Sequence, residues 1–470
     1  LLQPDIDFGK PASLTPAGVL QFLKQLRARS NILPLSHKLW LLSSSDFRIG
    51  LMMAFFRYLM CFGLLAGSYA LAEDWRDFRG PQGNGHTSAK NLPTVWSETQ
   101  NVRWKTDLPG EGFSTPVISE GRLWMTTAVN NGKSFRVLCV DQATGKLIHD
   151  QELFTVEKPA EKHKTNSYAS PSCVLEPGRV YVHFGTYGTA CLDAATAKVL
   201  WKETVLHCDH EVGPGSSPVL WKDLLFLNYD GIDQRFVVAL NKSTGAVVWK
   251  TDRSSAPNPS ASMRKSFATP LVIEVGGREL LVNPGADRVI AYEPATGKEV
   301  WFVEYSGFSN VPRPVYGKGL AFICTGYMKP QLWAVRPDGT GNITESHVAW
   351  KNTKQIPAKP SPLLIGDELY FVSDQGIVTC LAAETGKQIW QERVGGNFSA
   401  SPILAGGLIY LFDEDGTATV LKPGKSKEVV ATNKLDEGCQ ASPAVSGQAL
   451  FLRTRTKLYR IEDPTMTAMK

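Results

Sequence analysis

Along most of the chain apolar and polar residues alternate with a period of two, in runs such as GRVYVHF at residues 178–184, and Gly, Asp or Pro bounds each run. That period belongs to half-buried strands, whose successive side chains point to opposite faces. The runs are themselves repeated. A Ser/Ala-Ser/Thr-Pro element followed by apolar residues recurs as STPV, ASPS, SSPV, ATPL, ASPI and ASPA, with the looser copies PRPV and PSPL. Its prolines are Pro116, Pro171, Pro218, Pro270, Pro314, Pro362, Pro402 and Pro443, 40 to 55 residues apart. Each interval holds an apolar run, an alternating strand, a turn, another strand, Thr-Gly and a Trp-bearing segment. Four short strands with turn residues between them predict a four-stranded antiparallel meander. One such sheet cannot bury both faces, but sheets set radially pack on their neighbours. The pattern therefore predicts an all-β, eight-bladed β-propeller.

The phrase ALNKSTGAVVW at 239–249 returns as AYEPATGKEVW at 291–301. Thr144-Gly145, Thr244-Gly245, Thr296-Gly297 and Thr385-Gly386 are expected to close the turn into the outermost strand, with Gly taking a positive φ. Trp201, Trp249, Trp301, Trp350 and Trp390 follow them as structural seals between blades, and His149 fills that slot in the first unit. The eighth unit runs out before its fourth strand, whereas NVRWKTDL at 101–108 reads as an orphan fourth strand with Trp104 in place. An N-terminal strand completing the last blade would close the ring.

Charge and leader change this picture little. Residues 1–72 hold seven Lys/Arg against three Asp/Glu, so the remainder of the +5 chain is balanced, 43 against 42. A balanced chain has no footprint for nucleic acid. Residues 1–51 read as a mis-assigned or disordered extension. Residues 52–72 read as a signal peptide, with Arg57 before a short apolar run and cleavage expected after Ala72. Cys61 follows Met60 rather than a small residue, which argues against lipoprotein processing. Residues 73–100 are expected to pack on the propeller of 101–470. The expected location is periplasmic or extracellular, with no integral membrane segment after cleavage and a monomeric state. Cys139, Cys191 and Cys380 stand where Ala239 and Ala291 stand in other units, so they read as buried free thiols; Cys173, Cys208, Cys324 and Cys439 stay open as to pairing.

On these motifs, residues 101–462 resemble the pyrroloquinoline-quinone-like (PQQ-like) propeller repeat of the quinoprotein and BamB-like superfamily. WRDFRGPQGNG at 75–85 is similar to an N-terminal segment of secreted bacterial members. Two departures are visible: Ala197 replaces the turn Gly in the second unit, and Arg336-Pro337-Asp338-Gly339 rebuilds the turn in the fifth. The resemblance implies either a quinoprotein dehydrogenase or a non-catalytic assembly protein.

Thr-Gly turns commit one face of the ring to folding, which leaves the D-to-A and B-to-C loops of the other for function. Those loops bring Tyr187, His207, His210, Arg264, Lys265, Arg288, Asn310, Arg313 and Lys329 toward one mouth, as candidate residues for a ligand or partner. Several cations there favour an anionic ligand or acidic segment. The run His207-Cys208-Asp209-His210 matches no standard metal spacing. The resemblance implies an adjacent Cys-Cys pair in many quinoproteins, which this chain lacks, as it lacks a CxxCH haem motif, so no catalytic residue, metal or cofactor is expected. The leading expectation is an exported, non-catalytic propeller that binds an envelope protein or polymer. The alternative is a dehydrogenase using PQQ and calcium on an alcohol or sugar.

Overall fold

The computed structural model describes residues 74–467, with side chains to residue 465. The expected extension and signal peptide lie outside the described residues. Among these no helix is long and apolar enough to cross a membrane.

The described residues form eight antiparallel sheets of four strands in a ring, the eight-bladed β-propeller that the repeats predict. Blade 1 comprises Val117–Ser119, Arg122–Val129, Ser134–Asp141 and Leu147–Thr155, running from the axis outward as strands A to D. The A strands of blades 2 to 8 begin at Val174, Val219, Leu271, Val315, Leu363, Ile403 and Ala444. Strands B and C are buried almost throughout, while D strands alternate in and out, as in the burial of Val102–Asp107. That last strand pairs antiparallel with Lys457–Ile461 and forms the outer edge of blade 8. Blade 4 carries a further short strand, Gly341–Asn342, lying parallel to Glu299–Glu304.

The D-strand tryptophans join one blade to the next. Trp201 Nε1 donates to Lys242 O (2.9 Å), Trp249 to Pro294 O (3.0 Å), Trp350 to Ala383 O (3.0 Å) and Trp390 to Gly424 O (2.9 Å). Trp104 reaches Gln142 O of blade 1 in the same way (3.2 Å). Each of Trp104, Trp201 and Trp350 lies flat against the turn glycine of the following blade: a Cβ on Gly145, Gly245 or Gly386 would stand 2.5 to 2.6 Å from the indole. The turn therefore needs Gly for close approach as well as for its φ, +75° at Gly245.

Both departures from the repeat are repairs of this joint. Ala197 keeps the turn's positive φ (58°) but adds a methyl group. The facing slot of blade 1 holds the smaller His149, stacked on Trp124 of strand B, where Trp201 lies tilted against Tyr181 of its own strand B. The carbonyls of Ala194 and Ala195, with no indole to serve, accept Arg122 instead. At the fifth unit the rebuilt turn extends over blade 4, and Ile343 joins the apolar cluster that buries Trp301.

Near the axis the pre-proline residues form a second set of joints. Backbone N–H groups of Thr115, Ser172, Ser217, Ser361 and Ser401 donate to the hydroxyls of Ser172, Ser217, Thr269, Ser401 and Ser442, each in the next blade, at 2.9 to 3.0 Å. In blade 2 Ser172, after Pro171, takes the position that Thr115 holds before Pro116, because strand A starts two residues later relative to the proline. In blade 5 the position is Arg313, whose N–H still reaches Ser361 Oγ (3.0 Å).

Candidate functional site

WRDFRGPQGNG crosses the ring as a plug. Trp75 O accepts Ile118 N of blade 1 (2.8 Å), Arg76 O accepts Leu175 N of blade 2 (2.9 Å), and Gly85 O accepts Leu404 N of blade 7 (2.9 Å). Arg79, fully buried, donates to Pro402 O (2.7 Å) and Pro362 O (2.9 Å), and burial pulls its pKa down to about 9. Asp77 takes an ion pair from Arg313 at 3.0 Å. The glycines let the plug fit: a Cβ on Gly83 would meet the Arg313 guanidinium at 2.7 Å, and one on Gly85 would meet Arg79 at 2.5 Å.

Above the plug, on the side of the D-to-A and B-to-C loops, lies an axial cavity of about 490 Å³. Phe78 of the plug reaches it, with Phe113, Phe267 and Phe308 also in its wall, and hydroxyls from the pre-proline ring form a belt around it. Beside it lies a second, shallower cavity of about 760 Å³ between blades 5 and 6, where Tyr327 and Met328 are exposed.

Of the nine candidate residues, Lys265 alone lines the axial cavity; it is buried, paired with Glu211, and donates to Ser262 O (2.6 Å). Lys329 is exposed at the second cavity. His207 is exposed, with Nδ1 3.0 Å from Val205 O. His210 is buried; its Nε2 accepts Thr186 N at 3.2 Å, and desolvation lowers its pKa to about 4. Tyr187 stacks on Phe135 at 4.2 Å, and its hydroxyl accepts Ala160 N. Arg264 is spent on backbone carbonyls of Asn258, Ile232 and Pro259. Arg288 pairs with Glu304 and lies over Phe302 at 3.8 Å. Asn310 is fully buried and donates to Tyr305 Oη (3.1 Å) and Cys324 O (3.2 Å). Arg313 is inside the ring, as described. The cations that read as one mouth are thus mostly neutralised by local partners.

Sequence reasoning missed the residues that do surround the axis. Ser217, Thr269, Ser401 and Ser442 had a signal, the hydroxyl before each repeated proline, which marks the start of strand A at the channel. Lys359 and Asp374, at 4.0 Å from each other in the cavity wall, had none. Asp230, the last residue of strand B in blade 3, is buried against Arg253 (2.5 Å), with side chains 1% and 2% exposed. His207-Cys208-Asp209-His210 gathers no ligand set; among the described residues no group of three or more His, Cys, Asp or Glu is placed to hold a metal. All seven described cysteines are free and buried.

Known proteins place this architecture. Residues 87–231, 233–343 and 330–462 match a PQQ-like family profile described as "Outer membrane protein assembly factor BamB". The chain is 24% identical over 203 residues to the outer membrane protein assembly factor BamB of Legionella pneumophila, 40% of this chain and 49% of that one. It is 28% identical over 203 residues to the quinoprotein ethanol dehydrogenase of Pseudomonas aeruginosa, 39% of this chain and 29% of the relative. The chain spans about half the length of the curated relatives it matches first. A europium-containing methanol dehydrogenase superposes with a TM-score of 0.60 at 11% identity, covering 83% of this chain and 98% of that one, which shows the fold alone. With the profile matched along nearly the whole ring, the chain belongs to the PQQ-like β-propeller family that includes the BamB assembly factors.

Proposed function

We propose that this protein is an exported, non-catalytic assembly factor that binds an envelope protein or polymer through the face carrying its D-to-A and B-to-C loops. The observation that carries this reading is the family profile spanning 87–462 on a ring whose opposite face is taken up by blade-joining turns. The rim of the loop face offers exposed Tyr327, Met328 and Lys329 beside a shallow cavity, a mixed apolar and polar surface suited to a protein partner.

The dehydrogenase alternative keeps support from the quinoprotein relative, and calls for a calcium-held quinone. The donor set of the axial cavity does not fit that group. Asp374 is its one lining carboxylate; Oδ1 already accepts Ala358 N (2.9 Å) and Lys359 N (3.2 Å), and Oδ2 faces the Lys359 ammonium. That carboxylate is thus already taken up by backbone N–H groups and a cation of the protein, which leaves little for a calcium ion.

Photo-crosslinking in cells with the full chain tests the reading. A crosslinker at Lys329 or His207 should trap the same envelope component, and one at Thr144 or Thr385 on the opposite face should not. Adducts from the opposite face, or from neither, would overturn it. Dye reduction with PQQ, calcium and an alcohol would establish the alternative instead.

A further inference from the structure

The pre-proline hydroxyls are half used. Oγ of Ser217, Oγ1 of Thr269 and Oγ of Ser401 and Ser442 each accept one backbone N–H from the preceding blade, which fixes the oxygen at the cavity wall. Their own hydrogens find no acceptor among the described residues, although all four side chains are buried and line the axial cavity. The cavity is thus ringed by O–H donors held in place and not yet spent. Gln440 adds the complementary group: its Oε1 is buried at the same wall without a partner. A buried donor or acceptor left unpaired costs about 1 to 3 kcal/mol, so such groups commonly mark where something else binds.

Charge then separates the ligand classes. Lys265 is paired with Glu211, and Lys359 with Glu414 at 2.9 Å and Asp374 at 4.0 Å. Each ammonium in the wall has its carboxylate, so a free anion would gain little and would have to displace an existing partner. Aromatic rings share that wall with the hydroxyls: Phe78 of the plug, with Phe113, Phe267 and Phe308. A neutral ligand that both donates and accepts hydrogen bonds around its edge and offers C–H faces to aromatic rings meets all three conditions. We infer that the axial cavity is a binding site for a short neutral saccharide, held without chemistry. Its volume of about 490 Å³ falls in the range of small-molecule sites, ~300–1,000 Å³. This inference does not rest on the partner proposed above: the rim can hold a protein whether or not the cavity is filled.

Saturation-transfer NMR and calorimetry on the full chain test it, with maltose, cellobiose and chitobiose as probes and with acetate and phosphate as anionic comparisons. At least one disaccharide should bind with a dissociation constant in the micromolar to low millimolar range, with ring C–H protons receiving the strongest transfer. Gln440→Leu and Phe308→Ala should each weaken that binding about tenfold or more, and neither side chain takes part in the blade joints, so the melting temperature should stay put. Absence of binding by all three sugars, preferential binding of acetate or phosphate, or unchanged affinity in both variants would overturn the inference. Crosslinking at Lys329 reads the partner proposal separately.

Discussion

Substituting Gly245 by Ala measures how much one blade joint contributes. Two costs are separable. The first is conformational: Gly245 sits at φ +75°, where an L-residue is about 1–2 kcal/mol less comfortable. The second is contact: the new Cβ would stand 2.5 Å from Cε3 of Trp201, far inside van der Waals distance. Relief requires the indole to withdraw, which breaks its 2.9 Å bond to Lys242 O, worth roughly 1 kcal/mol, and re-exposes part of a ring now 9% accessible. At about 25 cal/mol per Å², re-exposing on the order of 50 Å² costs a further ~1 kcal/mol. The expected total is about 3–4 kcal/mol. Gly178 supplies the control, since it has the same φ of +75° and nothing within 4 Å of its would-be Cβ. Gly178→Ala should therefore pay the conformational cost alone. Urea denaturation followed by tryptophan fluorescence gives both values from shifts in midpoint at constant slope. Equal losses for the two variants, within about 0.5 kcal/mol, would refute the docking of tryptophan on glycine as a source of stability.

Other outcomes follow from the buried polar groups. Asp230→Leu should cost about 3–5 kcal/mol by stranding the Arg253 guanidinium, whereas adding Arg253→Met should recover most of it, as read from a double-mutant cycle of these two substitutions. Burial lowers His183 to about 3 and His86 and His210 to about 4, from 6.5. Below pH ~6.5 the unfolded chain then binds protons that the folded one does not, so stability is full above that pH and is lost as pH falls toward 4. His210→Gln should flatten that slope between pH 7 and 4.5, and an unchanged slope would count against it. Burial lifts the thiols of Cys139, Cys173, Cys191 and Cys324 to about 12, so iodoacetamide should modify them in urea and not in the native protein, as read by mass spectrometry.

The architecture was legible because it is written repeatedly. Thr-Gly, the following Trp and the pre-strand Pro each recur, and each has a mechanical reason visible in one unit alone. Ala197 and His149 looked like separate irregularities in the sequence; only the register across a joint reveals them as matched changes of size. The site was far less legible. Lys265 and Glu211 are 54 residues apart and Arg313 and Asp77 are 236 apart, so no local pattern announces that these cations are already satisfied. Counting charges by loop therefore overstated the free positive charge at the mouth. Asn310 failed for a related reason: a polar residue before a strand reads as exposed, yet this one is buried to tie Tyr305, at the end of blade 4, to strand B of blade 5.

The meeting of the first and last strands also sets a schedule. Lys457 pairs with Asp107, 350 residues earlier, and Pro402 accepts from Arg79 across 323. At roughly 5–20 residues per second of synthesis, strand Val102–Asp107 waits on the order of 20 to 70 s for its only neighbour in blade 8. During that wait it is an unpaired edge, and Arg79 has yet to meet the carbonyls that hold the plug. A newborn chain can stack blades as they emerge, but it cannot lock, so its period of greatest exposure to aggregation and proteolysis ends only with its final strand.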